Sequence, residues 1–248
     1  SFGLKKLTLI TALGTYSVAP FYSWRRFLMK WTCDSARLIA ISDYTKKKIL
    51  EVMPKLKIEV ITPGFDLDFW SGNTAIEVQP QYNTIEVEPR YEKLKPYILS
   101  VGALKFRKGY HNSIRAFAVI AKKFGNLNYI IVGQGEESNY IKELKKIVRE
   151  NNLEERIFFV SNGIDDRQLL WFYRNAELFI LTPVEENHHF EGFGIVYLEA
   201  AASGLPIVSY QNSGAESAVS DNFNGILVPQ NNSEAAADAI IKIMESPE

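Results

Sequence analysis

The chain has 248 residues, of which 46% are hydrophobic and 23% are charged, and its formal net charge is −1. These values are ordinary for a soluble globular protein and argue against nucleic acid as a partner. No apolar run reaches the length of about 20 residues that spans a bilayer. The single cysteine, Cys33, excludes a disulfide framework and is typical of a reducing compartment, so a cytoplasmic location is expected.

Residues 1–70 are predicted to contain three short strands separated by helices. The β-rich runs lie at 7–13, 37–42 and 57–62, and the helical patterns lie near 20–33 and over 43–53. Three strands are fewer than in most sheets. We therefore interpret residues 1–70 as the C-terminal part of an α/β domain whose front is absent.

Basic and aromatic residues alternate at residues 21–31, which read FYSWRRFLMKW. One interpretation is an amphipathic helix that brings Arg25, Arg26 and Lys30 to an anionic lipid surface, at the inner face of a membrane. The other is an ordinary helix that packs its aromatic side chains inward. The second arrangement is the commoner one and is preferred from the sequence.

The rest of the chain divides into a linker and a second domain. Residues 71–95 are polar and carry Pro80 and Pro89, which is typical of a linker. Over residues 96–248, strands are predicted at 97–101, 128–132, 157–160, 178–182, 206–209 and 225–228, and helices at 109–123, 136–150, 166–175, 194–203 and 233–245. Apolar strands alternating with helices indicate a parallel sheet covered on both faces. The predicted fold is α/β, with two Rossmann-like doubly wound parallel-sheet domains, the first of them incomplete.

A buried carboxylate is predicted in the sequence FEGFGIVYLEAAASGLPIVS at residues 190–209. The helix over 194–203 is apolar on nearly all sides, so it should be buried, and Glu199 is its only charge. A buried carboxylate needs a partner. No basic residue lies within a turn, so Glu199 either pairs with a distant Lys or Arg or accepts hydrogen bonds from a ligand's hydroxyl groups.

The start of the same helix is a candidate anion site. Gly192, Phe193 and Gly194 let the backbone approach a ligand closely, and the free N–H groups and positive dipole end favour an anion there. Glu191 is expected at the rim of the same space. Phosphate beside a polyol describes a nucleotide sugar. The alternative is that Glu191 only stabilises the helix terminus and Glu199 has a structural partner.

The stretch EGFGIVYLEAAASGLPIV resembles the signature of retaining glycosyltransferase family 4, the group 1 glycosyl transferases of GT-B fold. Their motif is a Glu, seven residues and a second Glu, here Glu191 and Glu199. The resemblance extends over ILSVGALKFRKGYHNSIRAF at 98–117 and YIIVGQGEE at 129–137. It also covers RLIAISDYTKKKI at 37–49, so it takes in essentially the whole chain.

The resemblance implies transfer of a hexose from a UDP-, GDP- or ADP-linked donor to a glycan or lipid-linked acceptor, with retention of configuration and without a metal. Such enzymes act in polysaccharide or glycolipid biosynthesis. By motif position, Glu191 contacts the donor sugar, Glu199 holds the ribose hydroxyls and Lys108 neutralises the leaving diphosphate. The implied donor-binding set is completed by Gly192, Phe193, Gly194, Ile195, Gly102, Ala103, Arg107, Gly133 and Gly135, with Gly14 and Thr15 on the acceptor side.

Three departures from the family pattern bear on activity. One is the expected lack of both the front of the acceptor domain and the terminal helix that the family packs back across its domains; the other two are substitutions. Ala103 stands where the family often has Arg, so either Arg107 or Lys105 replaces it or one phosphate contact is lost. Leu13 stands where the family often has His before Gly-Thr. Besides an active transferase, a catalytically silent nucleotide-sugar binding module and a sugar-nucleotide epimerase of the same fold remain open, and the fragment itself is a candidate for inactivity.

Two other patterns are given ordinary interpretations. Gly133-Gln134-Gly135 follows a strand as a dinucleotide-binding motif does, but Ser138 occupies the third glycine position. His188 and His189, with two neighbouring glutamates, resemble metal ligands, yet adjacent histidines on a loop do not easily face one ion. A solvated loop beside the cleft is expected there.

Overall fold

The computed structural model describes residues 9–14, 18–25, 27–28, 31, 33, 36–72, 87–135, 139–161 and 163–246. Within these ranges the chain forms two parallel sheets, one of three strands and one of six. Both carry helices in the connections between strands, so the predicted α/β class is confirmed.

The first sheet has the order β1-β2-β3 with every neighbouring pair parallel. Its strands are β1 (Leu9–Ala12), β2 (Arg37–Ala40) and β3 (Ile58–Val60), and helix α1 (Asp43–Val52) connects the last two. Ser42 caps α1, because its hydroxyl oxygen accepts a hydrogen bond from the Thr45 backbone N–H. A serine cap of this kind satisfies one of the free donors of the first turn.

The predicted helix near residues 20–33 begins as a 3₁₀ turn, Ala19–Tyr22, and several residues after it lie outside the described ranges. Phe21 is buried, but Trp24, Phe27 and Trp31 are 77%, 71% and 75% exposed. The preferred prediction of inward-packed aromatic side chains is therefore wrong for these three residues. Phe21 belongs to the hydrophobic core of the first sheet, and these three side chains do not.

The second sheet has the order β6-β5-β4-β7-β8-β9 and is parallel throughout. Its strands are β4 (Tyr97–Val101), β5 (Asn128–Val132), β6 (Ile157–Val160), β7 (Leu178–Leu181), β8 (Ile207–Tyr210) and β9 (Gly225–Val228). All residues of β4, β7 and β8 are buried, as expected for strands covered on both faces. The strand order reverses between β4 and β7, and ligands of such sheets bind outside the carboxyl ends of the strands at that point.

The other helices lie between strands or, for the last of them, after β9. They are α2 (Leu67–Ser71), α3 (Pro89–Glu92), α4 (Tyr110–Ile120), α5 (Asn139–Glu150), α6 (Asp166–Arg174), α7 (Ile195–Ala202) and α8 (Ser233–Glu245). Trp70 of α2, which precedes the predicted linker, packs in the core of the second sheet with its ring centroid 5.6 Å from that of Tyr173. In the part of the chain that the structure describes, no helix is long and apolar enough to cross a membrane.

Candidate functional site

The loops that follow β4 and β5 lie against each other at the carboxyl edge of the second sheet. The Gly102 N–H donates to the Val132 carbonyl at 2.9 Å, and the Leu104 N–H donates to the Gln134 carbonyl at 2.9 Å. A Cβ atom on Gly133 would lie 1.9 Å from the Gly102 carbonyl oxygen, so only glycine fits there. The structure thus brings together two predicted donor-binding loops, on which Ala103 and Gly135 are exposed.

A buried charge cluster lies beside these loops. Lys108, at the end of the 3₁₀ turn Phe106–Lys108, places Nζ 2.6 Å from Glu191 Oε2, and one Arg107 guanidinium nitrogen lies 2.9 Å from the same oxygen. Glu191 is buried, so its expected place at the rim is wrong. Two cations compensate its charge, which is what makes the burial of a carboxylate tolerable.

The cluster carries an excess of positive charge. Two cations meet one carboxylate, and Arg107 Nε is buried without a hydrogen-bond partner among the described residues. A Cβ atom on Gly102 would lie 3.5 Å from Lys108 Nζ, so the ammonium group lies directly beside the glycine loop. Positive charge in poorly solvated surroundings favours an anion.

Acidification is expected to weaken the fold through Glu191. Burial by itself raises the pKa of Glu191, but the charges of Lys108 and Arg107 outweigh burial and hold the pKa below its ordinary value of 4.5. The unfolded chain therefore takes up this proton first, and the stability that the ion pairs contribute is lost as pH falls through the folded pKa. Urea unfolding can be measured at several pH values between about pH 7 and about pH 3. The free energy of unfolding should be higher for the wild type than for Glu191→Gln at neutral pH, and this difference should become smaller as the pH falls. A difference in the free energy of unfolding that stays constant over this pH range would contradict this assignment.

Helix α7 presents the second acid of the motif. Glu199 is buried, and its Oε2 accepts a hydrogen bond from the Tyr173 hydroxyl at 2.8 Å. That is the only hydrogen bond to this carboxylate from the described residues, so neither a Lys nor an Arg pairs with it directly. Burial raises the pKa of Glu199, and the hydrogen bond from Tyr173 offsets only part of that effect.

One side of α7 borders open space, contrary to the prediction that the helix is buried nearly all round. Ile195 is 41% exposed, and Leu198 is partly exposed. Ile195 and Glu199 are four residues apart and so lie on the same helix face. The acid therefore lies on the same side of the helix as the exposed Ile195, and no described residue donates a hydrogen bond to its second oxygen.

The first sheet contributes to the same region. Gly14, which follows β1, is buried, and a Cβ atom on it would lie 3.3 Å from Gly192 Cα. Gly192, Phe193 and Gly194 are themselves buried. Thr15 lies outside the described residues. The predicted acceptor-side glycine and the loop of the acidic motif are therefore in direct contact.

The histidine-containing loop, residues 185–189, follows β7 of the second sheet, and its side chains contact residues that precede the second sheet in the chain. Glu185 Oε2 accepts from the Tyr44 hydroxyl at 2.9 Å and lies 2.8 Å from Lys48 Nζ. The exposed His188 ring stacks on that of Tyr22 with centroids 3.7 Å apart. Glu185 thus forms an ion pair with Lys48. His188 and His189 are exposed, as the interpretation of this loop as solvated predicts.

Sequence reasoning missed several residues around the acids. The Tyr110 hydroxyl donates to the Gly102 carbonyl at 2.6 Å, and Tyr173 holds Glu199. Ser42 and Thr45, at the start of α1, donate to the Gly192 carbonyl. A serine between a strand and a helical pattern indicates a helix cap, but nothing in it indicates a contact with a residue about 150 positions away.

Comparison with solved structures agrees with the fold. The chain of Anabaena Alr3699/HepE, solved in complex with UDP and glucose, matches with a TM-score of 0.74 at 20% identity, over 98% of this chain and 63% of that one. The likeness shows the fold, which is of the GT-B type.

Comparison of sequences gives the family. A curated glycosyltransferase of Haemophilus influenzae, itself uncharacterized, is 32% identical over 67% of this chain and 44% of its own length. The GDP-mannose-dependent alpha-(1-6)-phosphatidylinositol monomannoside mannosyltransferase of Mycobacterium tuberculosis is 25% identical over 82% of this chain and 51% of its own length. The chain thus spans about half the length of these relatives. The family profile described as glycosyl transferases group 1 matches residues 83–248, and the chain belongs to this family.

Proposed function

We propose that the protein transfers a hexose from a nucleotide-sugar donor to an acceptor hydroxyl, with retention of configuration. The observation that carries the proposal is the juxtaposition of two complementary features. The Lys108, Arg107 and Glu191 cluster offers excess positive charge to a diphosphate. The carboxylate of Glu199 offers an acceptor to ribose hydroxyls at an open helix face.

The backbone between the two acids supplies further donors. Among the described residues, the N–H groups of Phe193 and Gly194 donate to none, and both precede the first turn of α7. Free amides at a helix start bind phosphate oxygens well. Fixed amides and ammonium groups stabilise developing charge without reorganising during the reaction.

In the proposed reaction the bond between the anomeric carbon and the diphosphate oxygen breaks, and the nucleoside diphosphate leaves. The acceptor oxygen forms the new bond to that carbon from the same face, and its proton passes to a phosphate oxygen of the leaving group. Lys108 and Arg107 stabilise the negative charge that accumulates on the diphosphate. This scheme requires no metal ion.

Relatives support a nucleotide-sugar donor and a glycan or lipid-linked acceptor. The mycobacterial relative is named for GDP-mannose and a phosphatidylinositol mannoside, and a Bacillus subtilis relative for poly(glycerol-phosphate) glucosylation. The Anabaena structures contain UDP or UDP-glucose. Calorimetric titration of the chain with UDP-, GDP- and ADP-linked sugars tests the proposal. Micromolar to millimolar binding of one donor, followed by its transfer to a glycan or lipid acceptor, is expected.

The products distinguish the alternatives in the same assay. Donor consumption with an epimerised sugar still attached to its nucleotide would replace the proposed reaction with epimerisation. Binding without any product, whichever glycan or lipid acceptor is offered, would indicate a silent binding module. Absence of donor binding would overturn the donor site itself.

We also infer that residues 21–31 contact an anionic lipid surface. Trp24, Phe27 and Trp31 are exposed, and basic residues at positions 25, 26 and 30 are interleaved with them. Tryptophan and arginine together suit the boundary between lipid headgroups and acyl chains. The acceptor of such an enzyme would then be lipid-linked and presented at the membrane.

Vesicle sedimentation tests this surface. The wild-type chain is expected to bind vesicles containing phosphatidylglycerol more strongly than vesicles of phosphatidylcholine alone, and to lose binding at high salt. Trp24→Ala combined with Trp31→Ala should abolish most of the binding. Phe223→Ala removes an even more exposed aromatic residue elsewhere in the chain and should have no effect. Equal binding by both variants, or self-association through the segment in place of lipid binding, would contradict the inference.

A further inference from the structure

Helix α1, which packs on the first sheet, contacts the loop that carries Glu191 both before and after this acid. Before the acid, Glu185 binds the Tyr44 hydroxyl and the Lys48 ammonium group. Phe190, the residue directly before the acid, is buried in the core of the first sheet, with its ring centroid 5.4 Å from that of Tyr44. The loop is therefore part of the first sheet's packing although it follows a strand of the second.

After the acid, α1 holds the backbone of the motif itself. The hydroxyls of Ser42 and Thr45 both donate to the Gly192 carbonyl, the latter at 3.2 Å, and both side chains are completely buried. The space around Gly192 is closed, because a Cβ atom there would lie 2.9 Å from Gly14 Cα and 3.3 Å from Thr45 Oγ1. The Gly192–Phe193 peptide is thus fixed from the side of the first sheet.

Fixing this carbonyl also fixes an amide. In a trans peptide the C=O and N–H bonds point in opposite directions. With its carbonyl turned toward Ser42 and Thr45, the Gly192–Phe193 peptide directs the Phe193 N–H away from α1. That N–H donates to no described residue, and it belongs to the loop between Glu191 and the first turn of α7.

We propose that Ser42 and Thr45 are positioning residues for the donor site: they orient the Gly192–Phe193 peptide so that the Phe193 N–H faces the donor's diphosphate. The inference rests on the proposed function. It assigns a role in donor binding to two side chains at the start of α1, which act through the Gly192 carbonyl. Loss of either hydroxyl lets the peptide rotate and leaves a buried carbonyl with one partner fewer.

Thr45→Val is the sharpest test, because valine keeps the shape and removes only the hydroxyl, and Thr45→Ser is its matched control. Calorimetry with UDP, GDP and ADP should show nucleotide affinity about fivefold to tenfold weaker in Thr45→Val. The ¹³C resonance of the Gly192 carbonyl should shift as its hydrogen bond is lost. Thr45→Ser, which retains a hydroxyl, should restore both the affinity and the resonance.

A second variant keeps the proposal testable if the first one does not fold. If Thr45→Val does not fold, Ser42→Ala removes the other hydroxyl at the same carbonyl, and its melting temperature shows whether the fold persists. Wild-type affinity in a folded variant whose Gly192 resonance has shifted would overturn the positioning role. An unshifted resonance would overturn it as well. Absence of nucleotide binding by the wild type would instead remove the proposed function on which it rests.

Discussion

Lys108→Met is expected to lower the rate of sugar transfer roughly 10²–10³-fold, the loss found when one preorganised charge-stabilising donor is removed. The ammonium group is buried beside the Gly102 loop and is held by Glu191, so it needs no reorganisation to meet a diphosphate. Methionine keeps the length of the side chain. Arg107 remains as a partner for Glu191, so the buried carboxylate is not left alone.

The measurement is initial rate under saturating donor, with Lys122→Met as a control that removes an exposed lysine from the same domain. Lys122→Met should retain the wild-type rate, and circular dichroism should confirm that both variants fold. Because the ammonium group acts mainly on charge that develops as the diphosphate leaves, the turnover number should fall more than the donor affinity. A rate within twofold of wild type would exclude Lys108 as the charge-neutralising residue.

Glu199→Ala is expected to weaken nucleotide affinity by roughly 1–3 kcal/mol, the scale on which a lost hydrogen-bonded partner is measured. This corresponds to about a 5- to 150-fold increase in Kd. Only one oxygen of the carboxylate is occupied, by the Tyr173 hydroxyl, among the described residues, and the helix face beside it is open. The ribose hydroxyls would donate to this acid when the nucleotide binds.

Tyr173→Phe provides the comparison for Glu199→Ala. It removes the group that orients the acid but leaves the acid in place, so its effect on affinity should be the smaller of the two. Calorimetry with UDP, GDP and ADP, paired with thermal unfolding of each variant, separates binding from folding. An unchanged Kd in a folded Glu199→Ala variant would contradict the assignment of this acid to the ribose.

The periodicity of the sequence was sufficient to predict most of the second sheet. The runs at 97–101 and 128–132 are the observed strands β4 and β5, because continuous apolar residues between helices have few other arrangements. The spacing of Glu191 and Glu199 likewise predicted two acids near one helix. Local patterns sufficed wherever a property depended on neighbours along the chain.

The environment of each acid could not be predicted in the same way. Glu191 is buried because Lys108 and Arg107, more than 80 positions earlier, reach it across the sheet. The sequence around Tyr173 does not indicate that its hydroxyl donates a hydrogen bond to Glu199. The exposure of Ile195 depends on what lies opposite the helix, which a helical pattern does not contain. These features arise from tertiary contacts and needed the structure.

The contact of Ser42 and Thr45 with Gly192 has a consequence for recombination between relatives. A chimaera that exchanges the first 70 residues would replace the supporting hydroxyls while keeping the supported peptide. Exchanges of this kind should succeed only when the incoming segment carries hydroxyl side chains at both positions. Compatibility between the exchanged segment and the rest of the chain therefore depends on these two hydroxyl groups as well as on the contacts of Glu185 with Tyr44 and Lys48.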